Sequence, residues 1–294
     1  MEEERKINDQ KVDVSLFASS NRPDLYASFF KSLKGTSVKY EIVFAGNNMK
    51  KGQIWRSGLV NIFDGKYHYI DHPEFTYIET ENIKPSQCYE IARRACNGET
   101  VIWVADDCEF PNDVIGKAYK YWKEQNDEKL ILSIQTKETG YNLPIGKFFD
   151  MKNHSFFGFR PETPLMAPLG FMSRKFLDEL GGFDRRFICG QYENQCVMMA
   201  LQAGGKISVF GDKDCYIDID HIGKSLLIGE SKREQDFLNR PFAKGYHLDR
   251  KVLETSWVLL DKTISKTMLD KFEPYESKDI LVKSQSNNIK EIWD

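Results

Sequence analysis

Short apolar, β-branched runs separated by stretches of helical spacing constrain this chain more than any other feature. VDVSLFA (Val12 to Ala18) and YEIVFA (Tyr40 to Ala45) enclose a segment in which Leu25, Phe29 and Leu33 recur at helical intervals, a β-α-β pattern. Ser20 or Asn21 is placed to cap that helix, and Pro23 suits its first turn because its ring forfeits no hydrogen bond there. Pro85 to Cys96 reads as a second helix, VIWVA (Val101 to Ala105) as a buried strand, Pro111 to Trp122 as an amphipathic helix and LILSIQT (Leu130 to Thr136) as a further strand. Alternation of this kind predicts an α/β fold with a mostly parallel central sheet flanked by helices.

The pattern breaks from Gly140 to Pro168 into an aromatic, proline-containing stretch longer than most connections in compact domains, which predicts a functional loop. Helical spacing returns at Lys175 to Leu180 and Tyr192 to Ala203, with strands expected near Ile207 to Phe210 and Cys215 to Ile219. Beyond Gly229 the sequence turns polar, with a helix expected around Asp249 to Ile264. The predicted organisation is a charged segment over 1–11, a domain over 12–229 that divides near residue 136, and a helical C-terminal extension over 230–294.

No run approaches the roughly twenty apolar residues of a spanning helix, and the charged start MEEERKINDQK lacks the apolar centre of a signal peptide, so a soluble, cytoplasmic protein is expected. Six dispersed cysteines without a CxxC pair argue against a zinc site and a disulfide framework. A net charge of -3 supplies no global attraction for nucleic acid.

Asp106 and Asp107 directly follow the buried VIWVA run, at the carboxyl end of a strand, where open α/β sheets bind ligands. Two adjacent carboxylates there suit a hard divalent cation with a diphosphate completing its shell. They equally suit a solvated turn that caps the next helix.

The order of motifs separates these readings. VADDCEFP, followed by LGGFDRRFICGQYENQCVMMALQAGG and preceded by FASSNRPDLYASFFKSL, resembles the family 2 glycosyltransferases and their GT-A relatives over roughly residues 12–225. That resemblance implies the Rossmann-like GT-A fold, with a nucleotide-sugar half over 12–136 and an acceptor half over 137–229. It implies that Asp106 contacts the donor ribose or metal and that Asp107 binds Mn2+ or Mg2+, while Cys108 replaces a frequent third acid. Tyr192 and Glu193 fall on the family's acidic pair, which makes Glu193 the base that deprotonates an acceptor hydroxyl in an inverting displacement. Tyr192 and Gln195 depart from the family's acids, and Glu193 also reads as a first-turn carboxylate favoured by the helix dipole. His221, in DIDHIGKS, resembles a late histidine that reaches the metal or diphosphate, with Lys224 and Ser225 suited to phosphate.

For the donor, Ala18, Ser19, Asn21 and Arg22 after the first strand should meet the nucleotide. Asn47 and Asn48 suit either a pyrimidine edge, which favours a UDP-sugar, or a simple turn. Lys84 and Arg93 stand where the family carries cations near the donor, or are solvated helix charges. The acceptor stays open among a glycan, a small molecule and a modified DNA base. A non-catalytic nucleotide-sugar-binding protein is the non-enzymatic alternative, and a nucleotidyltransferase is disfavoured because ASSNRP lacks a glycine-rich phosphate loop.

Overall fold

The structure is a computed structural model that describes residues 11–20, 22, 25–46, 54–56, 59–61, 68–70, 75–80, 85–140, 143–148, 167–184, 187, 190 and 192–220. The elements, in chain order, are β1 (Val14–Ser19), α1 (Tyr26–Ser32), β2 (Tyr40–Gly46), β3 (Ile54–Arg56), β4 (Leu59–Asn61), β5 (His68–Ile70), β6 (Phe75–Glu79), α2 (Pro85–Arg94) and β7 (Thr100–Trp103). They continue with β8 (Cys108–Glu109), a 3-10 turn (Pro111–Asp113), α3 (Val114–Gln125), β9 (Leu130–Ile134), β10 (Thr136–Gly140) and β11 (Leu143–Phe148). The last are β12 (Gly170–Ser173), α4 (Arg174–Glu179), α5 (Tyr192–Gln202), β13 (Lys206–Phe210) and β14 (Ile217–Asp220).

Eight strands form the main sheet in the order β13-β9-β12-β7-β1-β2-β6-β3. Its centre, β7-β1-β2-β6, is parallel, β9 and β13 are parallel to each other, and β12 runs antiparallel between β7 and β9. A second sheet, β11-β10-β14-β8, and a small β4-β5 pair complete the strands.

The central strands are buried on both faces and therefore read as continuous apolar runs. On one face Leu16, Ala18, Ile42, Phe44 and Ile102 pack with Tyr26, Phe29 and Phe30 of α1 and with Val114, Ile115 and Ala118 of α3. On the other, Phe17, Val43, Val101 and Trp103 pack with α2, α4 and α5 through Ile91, Phe176, Leu177 and Val197. Trp103 seats the start of β12: its indole nitrogen donates to the Ala167 carbonyl at 3.0 Å, and its ring covers Gly170 so closely that a Cβ there would lie 1.9 Å from it.

Several expectations are corrected. The α1 helix begins at Leu25, whose apolar side chain offers no cap bond; Ser20 lies five residues earlier and bonds to Asp106 instead, and Asn21 lies outside the described residues. The Pro111 helix starts as a separate turn: Asn112 and Asp113 adopt left-handed backbone, and Asp113 then caps α3 by accepting from Gly116 N–H at 3.2 Å. The Leu130 to Thr136 strand is broken at Gln135, where the chain passes from the main sheet to the second one. The aromatic loop contains a strand, β11, paired antiparallel to β10. The helix expected near 249–264 and the whole extension over 230–294 lie outside the described residues.

Among the described residues no helix is long and apolar enough to cross a membrane. Cys88, Cys96, Cys108, Cys196 and Cys215 are free thiols, and Cys189 lies outside the described residues.

Candidate functional site

The acidic pair sits where the two sheets meet. β7 delivers the chain from the middle of the main sheet, a turn closed by the Cys108 N–H donating to the Ala105 carbonyl at 3.1 Å carries Asp106 and Asp107 at its centre, and β8 enters the second sheet beside β14. Cys108 is 1% exposed and packs in the core, which is why an apolar-tolerant thiol rather than a third acid occupies this position. Burial, then the Asp107 charge, pushes its thiol well above the ordinary value.

Asp106 and Asp107 are 3% and 5% exposed, a placement that carboxylates adopt only with partners. Ser20 supplies the first, donating to Asp106 Oδ2 at 2.5 Å. The Ser20 hydroxyl in turn accepts from Tyr26 OH at 2.8 Å and from the Arg22 backbone N–H at 3.3 Å, and the Ser20 carbonyl accepts from Tyr77 OH at 2.9 Å. Arg22 supplies the second. Its Nη2 pairs with Asp106 Oδ1 and lies 3.3 Å from Asp107 Oδ2, while its Nε donates to Asp106 Oδ2 at 3.2 Å. Burial raises the Asp106 carboxyl above its ordinary value, and Arg22 only partly offsets this; Asp106 and Asp107 in return hold the Arg22 guanidinium firmly charged against its own burial.

Opposite the acids, α2 holds the start of α5. Tyr89 donates from its hydroxyl to the Val104 carbonyl at 2.7 Å, just before the acidic turn, and stacks on Tyr192 with ring centroids 4.6 Å apart. Tyr192 opens α5 and precedes Glu193, which lies half-buried in the first helical turn. Phe183 wedges against Tyr192, Trp103 and Phe17. Its backbone N–H donates at 2.8 Å to Glu90, whose carboxylate also receives a bidentate pair from Arg93 at 2.6 and 2.8 Å and one bond from Arg94 at 2.8 Å. The same Arg93 reaches Asp178 on α4. This explains Gly182, which has a φ of +76° and on which a Cβ would lie 2.5 Å from Glu90 Oε2.

The sequence-predicted residues therefore divide. Arg22, Asp106 and Asp107 are brought together. Ala18 and Ser19 belong to β1 rather than to the loop after it, and Ala18 is fully buried among apolar side chains, so only its backbone is left to face a ligand. Arg93 is an internal ion-pair partner, not a cation at a donor site. Asn21, Asn47, Asn48, Lys84, His221 and Lys224 lie outside the described residues. β14 runs toward the acids in a register that pairs Ile219 with Cys108, so Asp220 is carried past that pair to the level of Asp107. Ser20, Tyr89 and Glu90 were not singled out as site residues: Ser20 and Tyr89 meet Asp106 and Tyr192 across long stretches of sequence, and although Glu90 pairs locally with Arg93 and Arg94, its bond to the Phe183 N–H is not visible in the sequence.

Asp106 and Asp107 offer the hard oxygen donors that Mg2+ and Mn2+ take, but among the described residues no group of three or more metal-binding side chains assembles, and the Arg22 guanidinium already holds both carboxylates. The described residues thus fit a divalent cation only if further oxygens, such as those of a diphosphate, join them and Arg22 gives way.

Two sheets meeting at an acidic turn, with helices on both faces of a mostly parallel sheet, form the α/β class that the sequence predicts. The sequence matches no family model and no curated protein. Among solved structures, the fold is similar to residues 1–349 of S. aureus TarS, with a TM-score of 0.51 at 15% identity over 85% of this chain and 76% of that chain. The same TarS fragment in complex with UDP aligns with a TM-score of 0.49 at 15% identity over 83% and 77% of the two chains, and in complex with UDP-GlcNAc with 0.48 at 14% over 84% and 73%.

Proposed function

We propose that this chain is a glycosyltransferase of the GT-A type that moves a sugar from a nucleotide-sugar, with a UDP-sugar as the first donor to test, onto an acceptor hydroxyl. The observation that carries this reading is the buried Asp106-Asp107 turn at the carboxyl end of a central parallel strand, faced by a cation and braced through Tyr89 and Tyr192 to the helix that carries Glu193 in its first turn. The likeness to TarS supports the fold, and the order of acidic turn, GGFD turn and acid-opening helix supports the chemistry.

In this reading Asp107, with His221 beyond β14, would hold Mn2+ or Mg2+, which supplies neutralising charge to the diphosphate. Asp106 and Arg22 orient the donor. Glu193 takes the proton of the acceptor hydroxyl as its oxygen bonds to the anomeric carbon; the bond from that carbon to the diphosphate breaks, its electron pair leaves with the diphosphate, and the configuration inverts.

Donor hydrolysis tests this without knowledge of the acceptor, because water can take the place of the hydroxyl. A panel of UDP-sugars with Mn2+ should give slow hydrolysis of one member. Glu193→Gln should lower that rate by about 100-fold or more, the range of general-base contributions, with UDP affinity unchanged. Failure of every nucleotide to bind, or hydrolysis indifferent to Glu193, would remove the proposal.

A further inference from the structure

Arg22 is the one cation that reaches both acids of the turn among the described contacts. It engages Asp106 through both carboxylate oxygens and Asp107 through Oδ2, and its backbone N–H is tied to Ser20, the same residue that donates to Asp106. A guanidinium so placed and a divalent cation compete for the same oxygens. Both neutralise the pair, and two cations on one edge of it repel each other, the more so where water is scarce.

Arg22 is also only part-buried, with a side-chain exposure of 21%, whereas Asp106 and Asp107 are each at 4%. The acids are fixed by the turn, but the arginine has a route to solvent and to an incoming anion. Planar guanidinium groups bind phosphate oxygens as readily as carboxylates.

We infer that Arg22 is an internal counter-cation that makes metal binding at Asp106-Asp107 conditional on a nucleoside diphosphate: the diphosphate draws the guanidinium off the carboxylates while offering the metal its own oxygens. This rests on the metal-dependent reading above. It states that metal and nucleotide bind with mutual reinforcement, and by linkage each strengthens the other by the same factor. Metal alone binds poorly, which keeps the site from filling with a cation before the donor arrives.

The test is calorimetric titration of the full chain with Mn2+, alone and in saturating UDP, for wild type, Arg22→Gln and Arg22→Lys. Wild type should bind Mn2+ alone weakly, and UDP should tighten it strongly. Arg22→Gln should bind Mn2+ alone about 10-fold more tightly, as expected from removing a competing charge, and should show a correspondingly smaller effect of UDP. Arg22→Lys keeps the charge without the fork and should fall between the two, which guards against a folding defect in the glutamine variant. Equal Mn2+ affinity in all three proteins without UDP, alongside UDP-dependent binding, would overturn the inference and leave the metal site standing. No Mn2+ binding with or without UDP would overturn the inference together with the metal site.

Discussion

At the scale of single residues, the acidic turn shows how much of a site depends on partners that sequence does not display. Asp106 and Asp107 were legible because two acids interrupt a run from Thr100 to Val104 that is entirely buried. Ser20 and Arg22 were not legible as their partners, since they lie 86 and 84 residues away and only the parallel pairing of β1 with β7 brings them alongside. Ser20 looked like a helix cap for the same reason that it is a good donor to a carboxylate: its short hydroxyl can satisfy either. Asp106→Asn should leave Arg22 with one weaker acceptor and disturb the Ser20 hydroxyl bond, and unfolding by urea should show a loss of about 1–3 kcal/mol, the size expected when a hydrogen bond to a charged group is lost. Because burial raises Asp106 despite Arg22, this pair adds little net stability beyond what its removal would disrupt, and a loss far larger than that range would mean the contact is structural before it is functional.

At the scale of elements, strands and helices with strong periodicity were readable and the short ones were not. β1, β2, β7 and β9 announce themselves by apolar runs buried on both faces, whereas β3, β4 and β5 are three residues each and exist through pairing, not pattern. β12 was missed because GFMS is four residues long and starts with glycine, a residue that the Trp103 ring lying on it requires. The link from α2 to the GGFD turn makes a prediction at this scale. Burial alone would raise the Glu90 carboxyl, but the charge and hydrogen bonds of Arg93, joined by Arg94, outweigh it and hold Glu90 below its ordinary value of 4.5. A carboxyl lowered by folding contributes stability that is fully present above its unfolded value and is lost as pH falls through its folded one. Wild type should therefore lose stability on acidification from about pH 4.5 downward, and Glu90→Gln should lose that part of the slope while costing about 3–5 kcal/mol at neutral pH, because Arg93 is left buried beside a neutral amide. Urea midpoints measured across pH for both proteins would check the two effects together. Gly182→Ala acts on the same joint: a side chain at φ +76° that also meets Glu90 should cost about 1–3 kcal/mol, and a neutral result would mean the turn can shift without losing its seat on α2.

At the scale of the whole molecule, the two sheets and the helices on both faces serve to converge three distant segments on one turn: the Ser20-Arg22 stretch after β1, the acids after β7, and the end of β14. The proposed donor site is built by that convergence rather than by any one element, so a donor analogue should stabilise the fold globally. A ligand held only by the native state raises stability by RT ln(1 + [L]/Kd), about 2.7 kcal/mol at a hundredfold excess over Kd. In a domain of this size that corresponds to a rise in Tm of roughly 5–10 °C. Thermal unfolding should show such a shift with UDP and Mn2+ together, a smaller one with UDP alone and little with Mn2+ alone, because Arg22 already satisfies the carboxylates when no diphosphate is present. Asp107→Ala should abolish the metal-dependent part of the shift while keeping the part due to UDP alone. An equal shift from UDP with and without Mn2+ would mean that the nucleotide site stands without a metal, and that Asp106 and Asp107 serve the donor through Arg22 alone.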